Sequence, residues 1–244
     1  ILSGISVGGQ YALIAIGYTM VYGILRLINF AHADIFMVAG FIMVYSSTVL
    51  PLYVSIILVL ILTVILGFAV ERFAYKPLRS APRMSIMISA IGVSYLLQNL
   101  AWYVTGGLAK VYPVIPWISD SVTVLGRSIS RVIIITPILT IALVIALVLL
   151  LKYTKIGIAM RAVSKDFETS QLMGIKINTV ISITFVIGSF LAAVGSMLYF
   201  SNYTAVTPTV GAMPGLKAFV AAVFGGIGSV PGAVVGAFII GICE

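Results

Sequence analysis

Charge is what this sequence has least of. Only 8% of its 244 residues are Asp, Glu, Lys or Arg, where a soluble domain carries about 25%. Acids are the rarest, six against fourteen Lys and Arg, and there is one histidine, His32, and one cysteine, Cys243. A lone cysteine excludes an internal disulfide and a Cys-rich metal site, and near a helix end it reads as a small apolar side chain. So few charges exclude an ordinary soluble fold. The length leaves no room for a nucleotide-binding or catalytic domain beside the apolar runs. The formal charge of +8 then belongs to cytoplasmic loops of a membrane protein rather than to a nucleic-acid surface.

What is present is apolar: 61% of the residues are hydrophobic and the mean hydropathy is +1.23. At roughly 20 apolar residues per crossing, about seven or eight transmembrane helices fit. Apolar runs lie at about 3 to 24, 35 to 50, 54 to 74, 85 to 104, 133 to 151 and 178 to 200, with a Gly-broken stretch from about 215 to 243. Lipid-facing backbone must satisfy its own hydrogen bonds, so these runs predict helices. Runs such as VSIILVLILTVILGFAV lack the alternation of a β-barrel strand. The expected fold is an all-α, polytopic transmembrane helix bundle, with 1–244 as a single domain. No cleavable leader is recognisable, and the apolar pattern is interrupted at Glu244, so the chain is expected to be truncated at its C-terminus.

Positive charge sets the sidedness. Arg72, Lys76, Arg79 and Arg83 fall in one loop, Lys152, Lys155, Arg161, Lys165 and Lys176 in another, and Arg26 follows the first span, so ten of the fourteen basic residues share one side, predicted cytoplasmic. The loop from about Thr105 to Ser130 then lies outside. Tyr53, Trp102, Tyr103, Tyr112, Trp117, Tyr199 and Tyr203 would form an interfacial aromatic belt. Gly188, Ala192 and Ser196, and Gly232 and Gly236, recur at intervals of four and read as helix-packing faces.

Three polar features stand out. The basic loop KYTKIGIAMRAVSKDFETSQLMGIK predicts its own short helix, capped by Ser164, with Asp166 and Glu168 in the first turn and Gly174 ending it in a left-handed conformation. Val163, Phe167 and Met173 give it a partial apolar face, which rests either on lipid headgroups or on a cytosolic partner. The segment GILRLINFAHADIFMVAGF places Arg26, Asn29, His32 and Asp34 between two spans. Either Asn29 caps the next helix, Asp34 complements its dipole and His32 bonds a loop carbonyl, or these groups serve gating or a transport path; their depth decides. Gly225, Gly226, Gly228 and Pro231 predict a break, either at mid-membrane and lining a path or as a plain turn between helices. No GxxxxGK[ST] phosphate loop occurs, and Pro231 stands where GxGxxG needs its third glycine.

GGQYALIAIGYTMVYGILRLINFAHADIF, ERFAYKPLRS followed by ISAIGVS, GIAMRAVSKDFETSQLMGI, and GLKAFVAAVFGGIGSVPGAVVGAFIIGICE together span almost the whole chain. In order and spacing they resemble the permease subunits of prokaryotic ABC importers for branched-chain amino acids. The family usually has Gly and Glu after the histidine of the first block; here Ala33 and Asp34 keep the acid and lose the glycine. The resemblance implies a multi-pass protein of the cytoplasmic (inner) membrane, not itself an enzyme. It implies pairing with a second homologous permease, two cytosolic ABC ATPases carrying ATP and Mg, and an extracytoplasmic solute-binding protein that delivers leucine, isoleucine or valine. This chain itself would hold no cofactor. The segment Gly157 to Gly174 would be the ATPase-coupling loop, with Arg161, Lys165, Asp166 and Leu172 as contacts, and Asn29, His32, Asp34, Gly225, Gly226 and Gly228 would serve the translocation path. Close relatives for urea, short amides or other amino acids are the alternative. An ion-coupled secondary transporter would rely on Asp34, because Glu71, Asp166 and Glu168 fall at cytoplasmic edges and Asp120 outside. A channel filter such as TVGYG is missing.

Overall fold

The computed structural model describes residues 2–79, 81–124 and 127–244; the side chains of Arg83, Trp117, Ser119, 121–124 and 127–129 lie outside that description. The expectations for Arg83 and for Trp117 as charge and belt residues therefore fall outside the described side chains.

Helix α1 (Leu2–Leu25) is followed by α2 (His32–Ser47), α3 (Leu52–Val70) and α4 (Arg83–Thr105). A long excursion then carries β1 (Lys110–Val111), the short α5 (Pro116–Ser119) and an antiparallel hairpin of β2 (Ser121–Val124) and β3 (Arg127–Ser130). Next come α6 (Arg131–Tyr153), the two short helices α7 (Lys155–Lys165) and α8 (Phe167–Leu172), and α9 (Ile177–Asn202). Strand β4 (Ala205–Val206) pairs with β1, and α10 (Ala212–Phe224) and α11 (Val230–Cys243) complete the described chain.

Among the described residues, five helices are long and apolar enough to cross a membrane: α1, α3 with its continuation to Leu78, α4, α6 and α9. Helices α2, α10 and α11, at 16, 13 and 14 residues, fall short of the roughly 20 residues a full crossing needs. The molecule is thus a polytopic helical bundle whose elements follow the apolar runs. The hairpin β2–β3 and the β1–β4 pair were not anticipated.

Helix α1 forms the centre. Its apolar window is 89% buried, against 22–28% for α3, α4 and α6. Small residues explain the difference, since helices in lipid associate where backbones can approach. Gly4 lies on Gly241 and Gly8 on Phe238 of α11, and Gly9 meets Thr140 of α6, whose hydroxyl donates to the Gly9 carbonyl at 3.2 Å. The two small-residue faces read from the sequence are used: Gly188 of α9 sits against Gly17 of α1, while Gly232 and Gly236 of α11 press on Gly225 and the Ala221 carbonyl of α10. Helices α3, α4 and α6 instead turn Ile57, Ile61, Ile88, Leu96, Ile138 and Ile145 outward. Tyr112, expected in the aromatic belt, is buried and stacked on Phe200, ring centroids 5.6 Å apart.

The basic loops meet at one end of the bundle, as their charges require. The Arg26 guanidinium donates to the Ser164 carbonyl, and Arg79 pairs with Glu71 and donates to the Asn178 amide oxygen. At this end α3 loosens into a π-helical turn, Glu71–Tyr75, and a 3-10 turn, Lys76–Leu78. Wide turns of this kind are inserted where side-chain demands override helix geometry. Here the turn carries Glu71, which the sequence reading placed at a cytoplasmic edge. The structure buries it completely, bound by Arg79 and, at 2.8 Å, by the Ser182 hydroxyl.

Candidate functional site

The segment between α1 and α2 has a definite level along the bundle. The His32 ring lies against Gly17 of α1 and edge-on to Tyr18, centroids 5.1 Å apart, approaching the Ile14 carbonyl. Gly17 is eight residues, about 12 Å, short of the basic end of α1 at Leu25. Its neighbour Gly188 lies eleven residues, about 17 Å, along α9 from the same end. Residues 26–31 therefore climb from the basic end back to mid-depth, and α2 starts inside the bundle. Non-helical backbone at such depth survives only when protein covers it, and Leu27, Asn29 and Ala31 are all buried. Arg26 makes the reversal with a positive φ of 55°.

Asn29 and Asp34 have side-chain partners on other helices, while the Asn29 amide nitrogen and His32 Nε2 are buried without a hydrogen-bond partner among the described residues. Asn29 does not cap α2: its side-chain oxygen accepts from the Tyr75 hydroxyl at 2.8 Å, and Ala31 stands at the N-cap with no side-chain bond. Asp34 lies in the first turn of α2 as expected. Its carboxylate accepts from the Ser94 hydroxyl and, at 3.0 Å, from the Gln98 amide of α4. Ser94 is eleven residues from each end of α4, about 17 Å either way, which again puts Asp34 at mid-depth. Among the described residues Asp34 forms no ion pair. A cavity of about 290 Å³ opens here between α1, α2, α4 and α10.

Helix α10 also starts at this level. Gly211 and Gly215 pack on Ala33, so the first turns of α2 and α10 converge on the cavity. The glycine cluster lies elsewhere. The turn between α10 and α11 has Gly226 and Gly228 at φ of 92° and 99°, conformations that favour glycine, and Ser229 caps α11 by accepting from the Gly232 N–H. Gly228 sits beside Gly23, two residues from the end of α1. The break is a turn near the basic end of the bundle, and the structure does not bring it together with Asn29, His32 and Asp34.

The basic loop folds as two helices. Thr154 caps α7 by accepting from the Gly157 N–H at 3.1 Å, and Gly157 lies so close to the backbone of Leu150 and Leu151 that no side chain fits. Arg161 reaches back to the Lys152 carbonyl, bracing the elbow with α6. Ser164, expected to cap the second helix, is inside α7 and bonds the Arg161 carbonyl; Asp166 is the cap instead. Asp166 has extended backbone, φ −151°, and accepts from the N–H groups of Glu168 and Thr169 at 2.9 and 3.2 Å and from the Thr169 hydroxyl. Gly174 ends α8 in the left-handed region, φ 81°, with the Gly174 N–H on the Gln171 carbonyl and the Ile175 N–H on that of Ser170. That double bond pattern is the one glycine permits at a helix C-terminus. Arg161, Lys165 and Leu172 are exposed on the outer side, while Gly157, Met160 and Val163 are buried.

The Thr169 hydroxyl foremost, then the backbone N–H groups, hold the Asp166 carboxyl below its ordinary value. A lowered native value means that the cap stabilises above the unfolded-state value and is lost as pH falls through the lowered one. The cap's contribution to α8 should therefore be present across the neutral range and be lost as pH falls below the ordinary carboxylate value. At pH 7, Asp166→Ala is expected to speed amide exchange over 167–172, and Asp166→Asn, which still accepts, to speed it less. Unchanged exchange in Asp166→Ala would refute the capping role.

Ser94, Gln98 and the Glu71–Arg79 pair were missed as functional groups by sequence reasoning. The signal for the first two was available: polar residues four apart near the centre of an apolar run share a helix face. Among the described residues, no group of three or more His, Cys, Asp or Glu could hold a metal ion.

The sequence matches known proteins along almost its whole length. Residues 1–244 match the family described as branched-chain amino acid transport system, permease component. The chain is 38% identical to the high-affinity branched-chain amino acid transport permease LivH of Salmonella typhimurium, covering 99% of this chain and 83% of that one. It is 38% identical to BraD of Pseudomonas aeruginosa, a permease of the same description, over 100% of this chain and 84% of the other. A probable LivH of Methanocaldococcus jannaschii is 27% identical over 95% and 75%. A multi-pass helical bundle, matched from end to end, belongs to the family of branched-chain amino acid transport permease components.

Proposed function

We propose that this chain forms one half of the translocation path of an ATP-driven importer of leucine, isoleucine and valine in the prokaryotic inner membrane. In this reading it works as a single transmembrane domain and performs no chemistry. A second homologous permease completes the path, two cytosolic ABC ATPases supply ATP and Mg, and an extracytoplasmic binding protein delivers the solute. Helices α2, α10 and α11 complete seven or eight membrane passages together with the five long helices. The positive-inside rule assigns the basic end to the cytoplasm.

The α7–α8 pair is the observation that carries the reading. It is a braced handle at the basic end whose outer side is unpartnered, with Leu172 and Met173 86% and 78% exposed. The handle is tied to three helices: to α6 through the Thr154 and Gly157 elbow, to α1 through Arg26, and to α9 through the Gly174 turn. Displacing it by ATPase closure would thus move α1 and α9, the helices against which His32 is seated, and bias the bundle between two states. Gly157, Arg161, Lys165, Asp166, Leu172 and Gly174 are assigned to coupling. Asn29, His32 and Asp34 are assigned to the path. The Gly225, Gly226 and Gly228 turn, beside Gly23 and near Arg161, is assigned to an inner gate.

Reversing Arg161 and Lys165 together to Glu is expected to cut ATPase co-purification by about tenfold, some 1.4 kcal/mol of association. Normal co-purification would remove the coupling assignment. An ion-coupled transporter acting alone is favoured by one observation only, the mid-depth Asp34. It predicts uptake that follows an ion gradient without ATP.

A further inference from the structure

We infer that the cavity between α2, α4 and α10 is an amino-acid subsite, in which Asp34 takes the ammonium group and the first turns of α2 and α10 face the carboxylate. The inference rests on the importer reading above and adds to it the recognition chemistry.

An ionised carboxylate has about four acceptor positions, and Asp34 has two neutral donors, Ser94 and Gln98. Neither supplies charge, and among the described residues no Lys or Arg does. Yet the residue is 2% exposed, and an unpaired buried charge is costly. The cavity that Asp34 itself lines is the approach open to a cation that would complete it. The same cavity is lined by Ala33 and Ala212, residues of the first turns of α2 and α10. Helix N-termini carry partial positive charge and favour an anionic group. Most first-turn N–H groups are already bonded within the chain, so the two convergent ends act through their dipoles, which favour a ligand with a carboxylate beside its ammonium group.

Size and walls narrow the ligand. About 290 Å³ is at the lower limit of the roughly 300–1,000 Å³ of small-molecule sites, a volume for a single amino acid and not for a peptide. The apolar part of the wall includes Ile91, Leu216 and Phe219, surface that suits an aliphatic side chain, beside the rings of Tyr18 and Tyr95. Tyr18 backs Phe219 edge-on, ring centroids 6.0 Å apart, and fixes that wall.

The test uses the complete transporter, all subunits present, in proteoliposomes. Cys243→Ser is combined with Ser94→Cys, and the new thiol is labelled with cationic and neutral methanethiosulfonates of equal size. The cationic reagent should react about tenfold faster, and adding Asp34→Asn should abolish the difference. L-leucine should slow labelling strongly; isocaproate, which lacks the ammonium, and isoamylamine, which lacks the carboxylate, should each slow it much less. Equal rates for the two reagents, or equal protection by the three compounds, would overturn the subsite. Leucine uptake by Asp34→Asn, an isosteric change that removes the charge and keeps one acceptor oxygen, gives a second readout without a cysteine: a loss of at least about tenfold is expected, and unaltered uptake would overturn the inference. ATP-dependent uptake by the unmodified transporter runs alongside. Its absence defeats the importer reading, whereas its presence with indiscriminate labelling defeats the subsite alone.

Discussion

Arg79→Ala is expected to lower the stability of the folded bundle by about 3–5 kcal/mol, the range for stranding one member of a buried ion pair. The pair is asymmetric: the Glu71 side chain is fully buried, while Arg79 keeps 18% of its side-chain surface. Removing Arg79 leaves a carboxylate inside the protein with only the Ser182 hydroxyl. Removing the acid, as in Glu71→Gln, leaves a guanidinium that still holds Asn178 and can reach water, so the loss should be smaller. Arg79→Met with Glu71→Gln, which takes away both charges and keeps volume, should recover much of the deficit. Apparent melting temperatures in detergent decide between these. Equal losses from the two single changes, or no recovery in the double, would contradict the assignment. Because Asn178 opens α9 just beyond the α8 turn, the surviving fraction of Arg79→Ala should also couple ATP use to uptake poorly.

Gly17→Ala is expected to cost about 1–3 kcal/mol, the usual penalty of overpacking a filled core. A Cβ at this position would occupy the volume of the His32 ring, and Gly188 of α9 borders both that ring and the Gly17 backbone, so the three are packed in one contact. His32 is itself buried and held edge-on by Tyr18, so the ring has nowhere to turn. His32→Ala combined with Gly17→Ala should restore expression and melting towards those of His32→Ala alone. If Gly17→Ala is silent by itself, the ring does not seat against α1 as described.

How much the sequence reveals follows from which forces are local. The long helices α1, α3, α4, α6 and α9 are legible because an apolar run of some 20 residues has one way to satisfy its backbone in lipid. Gly174 is legible because a left-handed helix end all but requires glycine. The cap of α8 is less so: Ser164 and Asp166 are both competent cap residues, and Asp166 takes the place because its backbone is extended and its two oxygens serve three donors. Depth is not local at all. Asn29, His32 and Asp34 would read the same at a helix end in water as they do in a buried reversal. What fixes them are Tyr75, Gly17, Ser94 and Gln98, contacts that come from elsewhere in the bundle. The glycine turn fails in the opposite sense: its composition announces a break, but its level is set by Gly23 on another helix.

The central claim is that this chain is moved by a motor it does not contain. The most direct measurement is leucine uptake into proteoliposomes bearing the complete complex, with ATP removed from the cytoplasmic side while a proton or sodium gradient is held. Uptake should cease within the time of ATP depletion, whatever the gradient. Uptake that continues on the gradient, or that this chain sustains without ATPase subunits, would contradict it.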